Sequence, residues 1–104
     1  MTDTTIDGKD IIVNGSITTI SNGNIDLAAT NTLDVNAALE AHGSGFIDLN
    51  GATALQLDGG SITSDSGDID INNPATIGAN LAINSTSGNL TVDSSLTGLS
   101  LIHI

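Results

Sequence analysis

A five-residue pattern that returns at a nearly fixed interval constrains this chain more than anything else in it. Gly23-Asn24-Ile25-Asp26-Leu27 recurs as Gly45-Phe46-Ile47-Asp48-Leu49, Gly67-Asp68-Ile69-Asp70-Ile71 and Gly88-Asn89-Leu90-Thr91-Val92, with successive glycines 22, 22 and 21 residues apart. Other columns keep the same period. Ten and twelve residues after the glycines stand Leu33 and Val35, Leu55 and Leu57, Ile77 and Ala79, and one period earlier Ile11 and Val13 take those places. A third apolar column runs through Ile17, Leu39 and Ile83, with Ile62 displaced by one residue. A polar column follows at Asn14, Asn36, Asp58 and Asn80. Several independent columns on one period mark a solenoid, in which each unit buries its apolar side only by stacking on the next.

The pattern inside a unit says which kind of solenoid. Ile25-x-Leu27 and Leu33-x-Val35 alternate with period two, the mark of a strand with one face inward. No 3.6-residue periodicity appears, so a helical-hairpin repeat is excluded. Between the pairs lie Asn, Asp, Gly, Ser and Thr, which turn corners and compete with helix through local side-chain bonds. The chain is therefore expected to be all-β: a single-stranded parallel β-helix of about four coils of ~22 residues, three short strands to a coil, adjacent strands ~4.8 Å apart. Handedness is not readable from the sequence, and the crossover rule leads to the expectation of a right-handed coil. Expected coils run near 1–22, 23–44, 45–66, 67–87 and 88–98 in one segment. Asn14, Asn36, Asp58 and Asn80 suit an amide ladder at a corner. The repeated glycines call for φ > 0 or a close backbone approach.

Composition narrows the interior and the partners. Apolar residues make up 38%, yet Phe46 is the only aromatic. A core of Ile, Leu, Val and Ala suits a narrow interior where small side chains stack on their own copies. Asp and Glu number 12 against one base, Lys9, for a formal net charge of −11. Nucleic acid needs Lys and Arg to displace counterions, so it is excluded as a partner, as is an anionic membrane surface. There is no cysteine, hence no disulfide or thiolate metal site. No apolar run approaches the ~20 residues of a membrane-spanning helix. Met1-Thr2-Asp3-Thr4-Thr5 lacks the basic and apolar regions of a signal peptide.

The units Gly-Asn-Ile-Asp-Leu, Gly-Phe-Ile-Asp-Leu and Gly-Asp-Ile-Asp-Ile resemble the filamentous-haemagglutinin-type repeats of large bacterial surface proteins, over roughly Ile11 to Gly98. The resemblance implies a right-handed parallel β-helix, secretion to the bacterial cell surface, and a role as adhesin or rigid stalk. Its partners would be neighbouring coils of a longer array and an unidentified host-cell glycan or protein. The last residues, Leu99-Ser100-Leu101-Ile102-His103-Ile104, read as a translated sequencing-adapter scar, making 99–104 a non-native tail on a fragment. The competing reading is that Leu99 and Leu101 open the second strand of a fifth coil.

Few residues invite chemistry. Asp26, Asp48 and Asp70 share one outward column that continues at Thr91. They form either a Ca²⁺-bridged acidic strip or a solvated surface that discourages sideways aggregation. The second is the expectation, since the Gly-Gly-x-Gly-x-Asp calcium nonapeptide is missing. His42, in Ala41-His42-Gly43-Ser44-Gly45, is expected to be an exposed turn histidine, because nothing beside Ser44 supplies an oxyanion hole. Carbohydrate-active β-helix enzymes are a remote alternative: there is no Arg, and every turn is too short to wall a groove. Ice binding would need ranks of Thr that are not present. The chain is expected to be no enzyme, with no catalytic or cofactor-binding residues. The alternative from another class is a short cytoplasmic β-solenoid that polymerises end to end, as bactofilins do.

Overall fold

The structure, a computed structural model, describes residues 3–51, 53–58, 61–72, 74–77, 82–92 and 96–98. Its strands in chain order are β1 (Thr4–Val13), β2 (Ile17–Thr19), β3 (Ile25–Val35), β4 (Leu39–Ala41), β5 (Ile47–Gly51) and β6 (Ala54–Leu57). They continue as β7 (Ser61–Ser64), β8 (Ile69–Ile71), β9 (Ala75–Ile77), β10 (Ala82–Ser85), β11 (Leu90–Val92) and β12 (Leu96–Gly98). Every pairing is parallel, and every strand pairs with its counterpart one coil away. The result is a β-solenoid of about four turns, as the repeat implies.

Its two sheets share the wall of each coil. An eight-stranded sheet holds the first two strand positions, and a four-stranded sheet, β10-β7-β4-β2, closes the third side. In the first two coils those first two positions are one continuous strand, β1 and β3, where three separate strands were expected. Pairing runs through the bend there, with a register shift between Gly8 and Asp10 that sets Lys9 against Thr30 and Asn31. The Asn31 amide donates to Asp10 Oδ1 (2.8 Å) across that shift.

Alternation along the strands builds the core. Ile25, Ile47 and Ile69 stack on one another, as do Leu27, Leu49 and Ile71, and all six are fully buried. Leu33 on Leu55, Val35 on Leu57, and Leu39 on Ile62 complete one continuous apolar interior. Burying each such side chain contributes roughly 1.5–3 kcal/mol, a gain that recurs with every added coil.

The constant glycine spacing conceals a compensated slip. In the coil that starts at Ile69, Ala75 and Ile77 pair with Leu55 and Leu57, in the places expected of Ile77 and Ala79. The corner between Ile71 and Ala75 is two residues shorter than its counterparts and carries the chain's only proline, Pro74, whose ring fixes φ. The following corner, between Ile77 and Ile83, is longer, and the period is almost restored. Corners absorb such changes because only the inward strand positions must superimpose. Ala79 and Asn80 lie outside the described residues. So do residues 99–104, and with them the reading of Leu99 and Leu101; the described second strand of the last coil is Leu96–Gly98, which pairs with β9.

Close approach, and not φ, explains the repeated glycines. A Cβ at Gly45 would lie 1.9 Å from Gly23 O, one at Gly67 1.9 Å from Gly45 O, and one at Gly88 2.3 Å from Gly67 O. The described glycine with positive φ is Gly43, at 77°, outside that column.

Candidate functional site

The outward surface is organised by polar side chains that reach from one coil to the next. At the position after the repeated glycine, Asp3 Oδ1 accepts from the Asn24 amide (2.9 Å), Asn24 Oδ1 from that of Phe46 (3.0 Å), and Asp68 Oδ1 from that of Asn89 (2.9 Å). Phe46 has no acceptor to hand on to Asp68, so its ring interrupts this ladder. At the opposite corner the Asn36 amide donates to Asn14 Oδ1 (3.2 Å). Turned over, it would donate instead to Asp58 Oδ2 (3.3 Å) and Asp34 Oδ1 (3.1 Å). The bond between Asn36 and Asn14 is one rung of the ladder read from the sequence, and Asp58 is reached only in the other orientation.

Two inward polar residues were not singled out from the sequence. Thr19 and Ser64 are fully buried. Their hydroxyls cap the corner carbonyls of the repeat: Thr19 Oγ1 donates to Gly23 O (2.7 Å) and Ser64 Oγ to Gly67 O (2.6 Å). Burying a hydroxyl is costly unless it is bonded, and these bonds offset that cost locally. A hydroxyl residue three or four positions before the glycine was the available signal.

Asp26, Asp48 and Asp70 lie side by side in register between Thr5 and Thr91, each half-buried. The Asn72 amide donates to Asp48 Oδ1 across the column. Among the described residues no three His, Cys, Asp or Glu side chains are placed to hold a metal ion. Asp48 and Asp70, with Asp68, border a shallow depression beside the Phe46 ring, which is 40% exposed.

The most organised charged group on the surface centres on His42. Its Nε2 lies 2.5 Å from Glu40 Oε1 and its Nδ1 3.2 Å from Asp65 Oδ2. Glu40 points outward from β4, two residues before His42, which follows that strand, and Asp65 follows β7 in the next coil. Asp65 Oδ2 also accepts the Gly43 amide (3.0 Å). The hydrogen bond to Asp65 and the charges of both carboxylates raise the His42 pKa above its ordinary 6.5, against a smaller opposing effect of desolvation. The Gly43 amide and the imidazole together lower that of Asp65 below 3.8. With both ring nitrogens turned to carboxylates, neither is aimed at Ser44, whose own amide donates to Asn22 Oδ1 (2.9 Å). The histidine expected to stand exposed in a turn is a held, half-exposed imidazole bridging two coils. Asp65 escaped notice because it lies 23 residues away. The one-residue displacement already visible at Ile62 points to that spacing.

Among the described residues β1 pairs with β3, and Ile6 on it is 37% exposed, while Ile12, outward between the buried Ile11 and Val13, is 63% exposed on the lateral face. Ile6, Ile11, Ile12, Val13 and Ile17 border a depression.

The fold defines a class, the parallel β-solenoid repeat proteins. Comparison with family models, curated proteins and solved structures finds no match to this chain.

Proposed function

We propose that the chain is a structural repeat segment of a bacterial surface adhesin or stalk, providing a stiff scaffold for attachment. The observation that carries this reading is the continuity of the stack. Each coil repeats the columns of the last, in parallel register. At 31 × 28 × 23 Å the molecule is hardly elongated. Length and stiffness would come only from further coils, each adding ~4.8 Å. The filamentous-haemagglutinin-type pattern of the repeats supports export to the cell surface. An adhesive contact would then be spread along a flat lateral face, with no cofactor required.

Antibodies raised against the chain test this on source cells. Labelling of intact cells is expected, whereas labelling only after lysis would overturn the surface assignment. The parallel in-register stacking of like coils also suits a second reading, a cytoplasmic solenoid that polymerises end to end. Filaments that grow reversibly from the purified chain, with labelling confined to lysed cells, would establish that reading instead.

A further inference from the structure

The cluster at the corner of the second and third coils does something the other corner ladders cannot, because it can change charge near neutral pH. The corresponding corner residues are Ile20 in the first coil and Thr86 in the fourth, neither of which titrates. The outward column beside it reads Thr18, Glu40, Thr63 and Asn84. Around His42, then, β2 contributes Thr18, β7 contributes Thr63, and the charged groups facing it are Glu40 on the preceding strand β4 and Asp65 from the next coil. Both are acids, and the chain's one lysine lies on β1.

We propose that Glu40, His42 and Asp65 form a reversible staple between the second and third coils, closed when the imidazole carries its proton and loosened when it does not. Protonated, His42 donates from both ring nitrogens to a carboxylate on each side. Neutral, it has one N–H, so one of the two carboxylates loses its donor, and both lose the cation between them. The remaining contacts of this corner do not titrate: Ser66 donates through both its amide (3.0 Å) and its hydroxyl (2.9 Å) to Gly43 O. Loss of the proton therefore loosens the corner and leaves the stack standing.

The sign follows from the environment. A histidine whose folded pKa is raised stabilises fully below 6.5 and loses that contribution as pH rises through the folded value. Asp65, held low, keeps its contribution until pH falls through its own depressed value. The staple thus holds over mildly acidic pH, bounded below by Asp65 and above by His42.

The test is a proton NMR titration of the full chain from about pH 5 to about pH 8, with His42→Gln identifying the His42 resonance against that of His103. In the parent the His42 midpoint is expected above 6.5, and in Asp65→Asn it should fall back toward that value. The Asn side chain can still accept the Gly43 amide, so the change isolates the charge. In parallel, the melting temperature of the parent should exceed that of His42→Gln most at the acidic end, with the gap closing toward about pH 8. Equal His42 midpoints in the parent and Asp65→Asn would overturn the proposal. A melting gap that does not vary with pH would do the same. If Asp65→Asn does not fold, the His42→Gln melting profile decides the matter alone.

Discussion

Gly67→Ala adds one methyl group where the stack has no room for it. The new Cβ would lie 1.9 Å from Gly45 O, 2.4 Å from Gly45 C and 2.9 Å from Phe46 N, all backbone atoms that no rotamer change can move. A carbon–oxygen contact needs about 3.3 Å, so the two coils must part by about 1.4 Å at this point. That separation carries the flanking bonds, Ile47 N–H to Asp68 O (2.9 Å) and Ser66 N–H to Gly43 O (3.0 Å), beyond useful range. Two such bonds contribute ~1 kcal/mol each, and overpacking costs typically ~1–3 kcal/mol. The reduced freedom of the unfolded chain returns ~0.4–1 kcal/mol. The expected net loss is about 2–5 kcal/mol, a large part of the ~5–15 kcal/mol typical of a domain.

Urea denaturation measures it, as a lower midpoint with an unchanged slope. Gly15→Ala is the control, because a Cβ there meets nothing within 4 Å and the residue's φ is not positive. It should be neutral or slightly stabilising. A Gly67→Ala midpoint equal to that of Gly15→Ala would refute the account of the glycine column as a steric requirement.

Three further outcomes follow from the same geometry. Leu49→Ala empties a fully buried site between Leu27 and Ile71, and should cost about 2–5 kcal/mol by the same urea assay. Thr19→Val keeps the shape but removes the donor to Gly23 O, so thermal unfolding should show a loss of about 1–3 kcal/mol. Phe46→Asn restores an acceptor between Asn24 and Asp68 and trades away a ring that is 40% exposed. It should stabilise by about 0.5–1.5 kcal/mol, seen as a raised urea midpoint, and no rise would mean the interrupted ladder carries no energy.

Much of the architecture was legible in the sequence because a solenoid writes its contacts at a constant interval. Ile25, Ile47 and Ile69 could be stacked on paper, and so could Asp26, Asp48 and Asp70, since one period separates each from its neighbour in space. Asn14, Asn36 and Asp58 could be lined up as a ladder for the same reason. That regularity fails at the corners, where the inward positions no longer dictate the count. Ala75 and Ile77 occupy places that strict counting assigned to Ile77 and Ala79, because the corner at Pro74 is short and the next one long.

The tertiary structure decided what depends on distances across coils. Whether the repeated glycines served a left-handed turn or a close approach was open until the Gly45 carbonyl was seen beneath Gly67. Thr19 and Ser64, not singled out in the sequence, are accounted for only by the bonds of their buried hydroxyls to the corner carbonyls. His42 looked like an unattended turn residue, because its partner Asp65 stands 23 residues on, where the displaced corner of the third coil brings it alongside. The repeating pentapeptide therefore determined the class of fold by itself, since period and alternation are properties of the chain. Which corner residues meet was settled only by stacking, which sets one coil's loop against the next whatever their lengths.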